Sequence, residues 1–158
     1  MAMAHSPKAF FNCLPFQKFS LNELYDVMAL RQEVFVVEQN CPYLDADGKD
    51  PDCYHLLGYE ANGQLVAYTR LIPPGLVYEH YAAFGRVVTS PIVRGKGFGR
   101  LLMDATLEWI QQLYGNHPVK ISAQSYLIPF YESYCFSKVG EPYLEDNIPH
   151  VAMVKAER

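Results

Sequence analysis

Phe84-Gly-Arg-Val-Val-Thr-Ser-Pro91, followed after Ile92 by Val93-Arg-Gly-Lys-Gly-Phe-Gly-Arg100, is the stretch that decides how this chain is read. Physically it is a short buried-type strand over Phe84–Thr89, a glycine-rich turn, and the start of a helix. Gly95, Gly97 and Gly99 carry no side chain, so the backbone there can curl and aim successive N–H groups at an anion. A helix beginning near Arg100 adds its positive dipole end to the same place. Arg94, Lys96 and Arg100 add three full charges, and no Asp or Glu lies between Glu79 and Asp104. This combination predicts a phosphate or diphosphate site. It is not a Walker loop, because Lys96 is followed by Gly97 where Ser or Thr is required. It is not a dinucleotide fingerprint either, since counting from Gly95 puts Arg100 at the last glycine position.

Downstream, Arg100–Tyr114 reads as an amphipathic helix. Leu102, Ala105, Trp109 and Leu113 lie on one side of it, and Arg100, Asp104, Glu108 and Gln111 on the other. Gly115 and Pro118 end that helix, and Val119, Ile121 and Ala123 alternate with polar residues as a half-buried strand does. A short helix around Pro129–Tyr134 and strand-like stretches near Phe136–Tyr143 and Val151–Lys155 follow. Upstream, Ser20-Leu-Asn-Glu23 is a capping-box pattern at a helix start. Leu21, Leu24, Met28 and Phe35 are expected to share that helix's buried face. The β-branched run Val34–Val37 is expected to end the helix, with Pro42 as the latest stop. Cys41–Asp52 reads as a loop. His55–Glu60 and Gln64–Ile72 read as a hairpin turning on Asn62-Gly63.

The chain has 158 residues and a mass of 18.0 kDa, with 50% hydrophobic and 19% charged residues, which suits one domain built around its own core. Thirteen Lys and Arg against seventeen Asp and Glu give a net charge of −4 and a pI near 5.7, so a general nucleic-acid binder is not expected. Met1–Phe19 is interrupted by Pro7, Lys8 and Pro15 and reads as no signal peptide, and no run of membrane-spanning length occurs. Cys13, Cys41, Cys53 and Cys135 are therefore expected to be reduced thiols of a cytoplasmic protein.

The pattern Arg94-x-x-Gly97-x-Gly99 between a strand and a helix resembles the coenzyme A diphosphate loop of the GNAT acetyltransferase superfamily. The likeness extends to Ser122-Ala-Gln124 at the end of the next strand and to Phe130-Tyr131-Glu132-Ser133-Tyr134-Cys135-Phe136, where Cys135 stands in place of the usual glycine. Arg31-x-x-Val34-Phe-Val-Val-Glu38-Gln-Asn-Cys41-Pro42, His55-Leu56 and Ile148-Pro149-His150 resemble the ElaA-type branch. The resemblance implies a single-domain α/β (α+β) fold, a mixed, mostly antiparallel twisted sheet of about six to seven strands flanked by helices. It places the N-acetyltransferase domain at residues 15–156 after an extension over residues 1–14.

It further implies acetyl-CoA as acyl donor and a primary amine as acceptor, joined by direct attack in a ternary complex, with no metal, nucleic acid or membrane involved and a homodimer admissible. Val87 and Val88 would hold the pantetheine arm through their backbone. Arg94, Gly95, Lys96, Gly97, Phe98, Gly99 and Arg100 would hold the diphosphate, and Gln124 would end the strand that approaches the thioester. Tyr131 takes the general-acid position, with an ordinary phenol pKa near 10 suited to an alkyl thiolate. Glu38, His55 and His150 are the candidates for the base, Glu38 slightly ahead.

Six acids between Glu38 and Glu60 face a single lysine, Lys49, and either attract a cationic acceptor or simply form solvated turns. They do not form an EF-hand, because counting from Asp45 the glycine is fourth and Leu56 stands where the bidentate Glu belongs. Two rivals remain at this level: a zinc module using Cys41, Cys53, His55 and Cys13, and a CoA-binding sensor that keeps the glycine loop without chemistry.

Overall fold

The computed structural model describes residues 6–157. Seven strands alternate with three helices. They are β1 (Phe10–Pro15), α1 (Leu21–Arg31), β2 (Tyr54–Tyr59), β3 (Leu65–Ile72), β4 (Ala83–Thr89), α2 (Phe98–Tyr114), β5 (Val119–Gln124), α3 (Ile128–Glu132), β6 (Ser137–Glu145) and β7 (Ile148–Lys155). The strands form two antiparallel sheets, ordered β1-β2-β3-β4 and β5-β7-β6. The sheets meet where β4 and β5 run parallel. Contact there is limited to their first residues, through the Ala82–Val119 bridge with hydrogen bonds Ala82 N–H to Pro118 O and Lys120 N–H to Ala82 O. Beyond that point the two strands part company. The unpaired backbone and the wedge of space between their C-terminal ends are where open α/β sheets take ligands.

The larger core lies between α2 and the sheets, with Leu56, Leu71, Phe84, Leu102, Met103, Ile121, Tyr131, Phe136 and Met153 in contact. A second cluster packs α1 against the other face of β2, β3 and β4 through Val27, Leu30, Val34, Leu57, Tyr68 and Val88. β1 pairs with β2 along its whole length, from Phe10 against Tyr59 to Pro15 against Tyr54. Residues 10–14 of the expected N-terminal extension are thus part of the sheet, and residues 1–5 lie outside the described residues.

Two helix faces differ from the sequence expectation. On α1 the buried residues are Val27, Leu30 and Arg31, with Val34 one turn on, while Leu21 is 86% exposed. The shift has a physical cause: a buried arginine belongs to the inward stripe, and hydropathy places it outside. On α2 the buried stripe is Phe98, Leu102, Met103, Thr106 and Ile110, and Ala105, Trp109 and Leu113 flank it half-buried. The Ser20 cap forms, its hydroxyl accepting from Glu23 N–H at 3.1 Å. The run after α1 does not break the helix but widens it. Gln32–Glu38 is π-helical, with Gln39 N–H reaching Val34 O and Cys41 N–H reaching Val36 O. This carries Phe35 and Glu38 to the mouth of the wedge.

Candidate active site

The wedge between β4 and β5 opens into a cavity of about 710 Å³, within the range of small-molecule and cofactor pockets. A smaller groove of about 310 Å³ lies on the far side of α2, beside Asp104, Glu108 and Lys155, away from the glycine turn.

One wall of the cavity is β4, and its shape depends on a bulge. Arg70 faces Gly85 and Tyr68 faces Val88, so Thr69 alone opposes both Arg86 and Val87. Arg86 takes a left-handed backbone, φ 52°, which costs a residue with a side chain about 1–2 kcal/mol. Its guanidinium holds the bulge by donating to Asp45 Oδ1 at 2.8 Å and to the Asp45 carbonyl at 3.1 Å, over the Tyr43 ring at 5.6 Å. Val87 and Val88 line the cavity immediately after this kink, where the ladder is interrupted.

At the end of β4, Ser90 caps a single 3-10 turn, and the chain enters the glycine segment. Gly95 and Gly97 have φ of 74° and 86°, and Gly97 is the residue from which α2 starts. Their amides have no backbone acceptor among the described residues. The first-turn amides of α2 at Phe98, Gly99 and Arg100 add to them, since a helix leaves such donors open. Phe98 is buried against Val66 and Val93, which anchors the turn. Gly99 and Arg94 face the cavity, whereas the Arg100 guanidinium stacks over Phe130 and Tyr134, each at 5.6 Å. Lys96 is exposed.

On the opposite side, Gln124 at the end of β5 lines the cavity, with its amide 3.5 Å from Gln39 Oε1. Tyr131 lines it as well. The residue is 5% exposed, packed edge-on against Phe130 and Phe136, and its hydroxyl has no hydrogen-bond partner among the described residues. Burial pushes this phenol well above its ordinary value, unlike the unperturbed hydroxyl expected from sequence. The turn after α3 accommodates Cys135 at φ 68°, closed by Phe136 N–H to Tyr131 O and Cys135 N–H to Glu132 O.

The three base candidates end in different places. Glu38 sits at the rim, its carboxylate gripped by both terminal nitrogens of Arg94. That hydrogen bond lowers its pKa, which weakens it as a base. His55 does not reach the cavity, and its expected catalytic part is corrected here. It is 1% exposed, with Nδ1 on the Tyr68 hydroxyl at 2.7 Å and Nε2 on the Asp50 carbonyl at 2.9 Å, against Phe16 and Phe19. Burial lowers its pKa, and both ring nitrogens are already committed. His150 lines the cavity.

The acidic loop is also corrected. Asp45 and Asp50 are buried, Asp47 borders the cavity, and all three neutralise arginines that sequence reading left unassigned. Arg31, completely buried, donates to Asp45 and Asp50 at 2.8 Å each, and Arg70 donates to Asp47 at 2.8 Å and Asp50 at 3.0 Å. Burial would raise the Asp47 and Asp50 pKa values, but hydrogen bonds from these arginines hold both below the usual carboxylate range. The signal was present in part, as one arginine within each of α1, β3 and β4. Only tertiary contact shows that they meet. Among the described residues no group of three or more His, Cys, Asp or Glu is placed to hold a metal ion. The described cysteines are all unpaired, and burial pushes the Cys13 thiol up to about 12 and Cys53 to about 11.

Comparison with known proteins agrees with this geometry. The model of the acetyltransferase (GNAT) domain matches residues 32–157. A UPF0039 protein of Synechocystis is 45% identical over 139 residues, covering 88% of this chain and 90% of the relative. Escherichia coli ElaA is 43% identical over 140 residues, covering 87% and 90%, and its crystal structure superimposes with a TM-score of 0.86. An acyl-CoA N-acyltransferase from Pseudomonas aeruginosa superimposes with a TM-score of 0.88 at 43% identity, covering 94% of this chain and all of that one. The splayed strands, the glycine turn that starts α2 and these likenesses lead to one conclusion: the chain belongs to the GNAT acetyltransferase family, alongside ElaA and the UPF0039 proteins.

Proposed function

We propose that the protein transfers an acetyl group from acetyl-CoA to a primary amine by direct attack in a ternary complex. The observation that carries this reading is the convergence of three features on one cavity: the glycine turn at Arg94 and Gly99, the bulged edge of β4, and the largely buried Tyr131.

In this reading the amides of Gly95 and of residues 97–100 and the dipole of α2 hold the diphosphate, with Arg94 and Lys96 supplying charge. The pantetheine arm runs along β4 and pairs with backbone groups at Val87 and Val88, as an added strand would. A backbone N–H freed by the bulge stabilises the oxyanion that forms when the amine attacks the thioester carbonyl. As the C–S bond breaks, charge gathers on sulfur. Tyr131, kept protonated by burial, donates to that sulfur. Glu38, held by Arg94, then serves at the rim, linking the diphosphate turn to the helix that follows α1. Cys13, Cys53 and Cys135 do not line the cavity, which favours direct attack over an acetyl intermediate on any of them.

Free-thiol release from acetyl-CoA in the presence of a panel of primary amines tests the reading. Tyr131→Phe is expected to lower kcat about 100-fold, the lower end of general acid–base effects, with acetyl-CoA affinity by calorimetry unchanged. Wild-type turnover in that variant removes Tyr131 from the chemistry. A calorimetric titration with acetyl-CoA that shows no binding removes the function.

A further inference from the structure

One wall of the cavity, on β5, β6 and β7, carries polar groups that the reaction above does not use. β6 and β7 are joined through Asp146 and Asn147, both with left-handed backbone (φ 48° and 65°), the signature of a tight type I′ hairpin turn. The register then sets which side chains share a face. Tyr143 opposes His150, and His150 opposes Gln124 on β5. With strand alternation, Ser122, Gln124, Tyr143, Glu145 and His150 all stand on one side of this sheet. Ser122, Gln124, Glu145 and His150 line the cavity.

Their hydrogen bonds run in one direction. Tyr143 and Ser122 are bonded hydroxyl to hydroxyl, and Ser122 Oγ donates to Glu145 Oε2 at 2.9 Å. His150 Nδ1 lies 2.7 Å from the Ile148 carbonyl. A carbonyl only accepts, so this contact fixes a proton on Nδ1 and leaves the Nε2 lone pair as the free function of the neutral ring. Nε2 lies 3.5 Å from Glu145 Oε2. In the neutral ring this is one acceptor facing another. A proton placed between them turns the contact into a charge-assisted pair. The ring is mostly buried, 10% exposed, whereas Glu145 is 52% exposed at the cavity side. With the ring neutral, the pair can take one cationic donor, and an ammonium ion has three N–H groups to give.

We infer that Glu145 and His150 form the acceptor subsite of the transfer reaction proposed above, taking an aliphatic primary ammonium and removing its proton. The inference rests on that function and adds the substrate's charge state and the base. The ammonium docks on the Glu145 carboxylate and passes one proton to His150 Nε2, and the imidazolium is held by Glu145. The neutral amine attacks the thioester carbonyl; the C–N bond forms and the C–S bond breaks. Tyr131 gives its proton to the departing sulfur and recovers one from the nitrogen of the tetrahedral adduct. His150 returns its proton to solvent past the exposed carboxylate, so the net products are an amide, a free thiol and one proton.

Two nucleophiles separate this role from a structural one. n-Butylamine is protonated at neutral pH and needs a base; hydroxylamine is largely unprotonated and does not. His150→Asn keeps an N–H near the Ile148 carbonyl but removes the Nε2 lone pair. With the full chain and acetyl-CoA at neutral pH, this variant is expected to lose about 100-fold in kcat/KM for n-butylamine and less than about threefold for hydroxylamine. Glu145→Gln, a change at a half-exposed position, is expected to raise KM for n-butylamine about tenfold and KM for hydroxylamine by less than about threefold. Equal losses on both nucleophiles, no loss on either, or wild-type transfer confined to hydroxylamine overturn the inference alone. Absence of transfer to either nucleophile overturns it together with the parent function.

Discussion

Two clusters of acids and bases lie within this fold, and they are built on opposite principles. Behind β3 and β4, Arg31, Arg70 and Arg86 interlock with Asp45, Asp47 and Asp50, with the closest contact of each arginine at 2.8 Å. Arg31 and Arg70 are almost wholly out of water. On the cavity wall, Glu145 Oε2 and His150 Nε2 stand 3.5 Å apart, and the carboxylate is half exposed. Where every charge has its partner, the cluster holds a loop and a strand bulge in place. Where the pair is looser and borders the cavity, it is the place inferred above for a ligand. Burial alone does not make the distinction; pairing of opposite charges does, even with Arg70 Nε left without a partner inside the buried cluster.

The sharpest way to break this contrast is to unpair the matched cluster. Arg31→Met keeps the volume and leaves Asp45 and Asp50 without their buried counter-ion. Removing one member of a buried pair typically costs about 3–5 kcal/mol, and for a chain of this size that lowers the melting temperature by about 10 °C. Urea unfolding and thermal melts measure it. A loss below about 1 kcal/mol would show the lattice to be ornamental.

Acid attacks the same cluster from the other direction. His55 has a pKa lowered by burial from its ordinary 6.5, and the Asp47 and Asp50 carboxyls are held below their ordinary 3.8 by arginine hydrogen bonds. In each case the unfolded chain takes up its proton at a higher pH than the folded one. Stability from His55 is therefore complete above pH 6.5 and declines as pH falls toward its folded value. The aspartates contribute fully above 3.8 and add a steeper loss below it. Unfolding midpoints are expected to be level above neutrality, to slope gently below about pH 6.5 and to drop sharply below about pH 4. Midpoints that hold level down to pH 4 would show that His55 is not held neutral by the fold.

A third pair, Glu38 with Arg94, lies between the two types: matched, but 40% exposed on both sides and set at the cavity mouth. Exposed pairs add little to stability, so Glu38→Gln is expected to leave the melting temperature unchanged. If Arg94 also serves the diphosphate, losing its carboxylate partner raises acetyl-CoA affinity a few-fold by calorimetry. Weaker binding would mean that Glu38 positions Arg94 and does not compete for it.

These regions were unequally legible in the sequence. The glycine turn could be read because positive φ and open amides are local properties, and Gly95 and Gly97 show both. The β2–β3 hairpin could be read at Asn62-Gly63 for the same reason, with Gly63 at φ 84°. The inward face of α1 could not, because its stripe includes Arg31, and a buried cation is only acceptable once Asp45 and Asp50 have folded onto it. The same contact hid the purpose of the acidic loop. His55 and His150 are indistinguishable as letters. Register separates them: one points between Phe16, Phe19 and Tyr68, the other onto the cavity wall beside Glu145.

The smallest expected effect concerns Cys135, the residue after α3 where the family pattern has glycine. It closes a C-terminal cap of the Schellman type, with Phe136 N–H on Tyr131 O and Cys135 N–H on Glu132 O, and its backbone is left-handed at φ 68°. A side chain there costs about 1–2 kcal/mol. Glycine would relieve that cost but would also gain freedom in the unfolded chain, worth about 0.4–1 kcal/mol in the opposite sense. The balance favours Cys135→Gly by about 0.5–1 kcal/mol, a rise of about 2 °C in melting temperature. Cys135→Ala retains the Cβ and should change nothing, since the sulfur is exposed. If alanine stabilised as much as glycine, backbone strain would not be the cause. If glycine weakened the fold, the sulfur itself would have to be holding α3, and with it the ring of Tyr131, against β6.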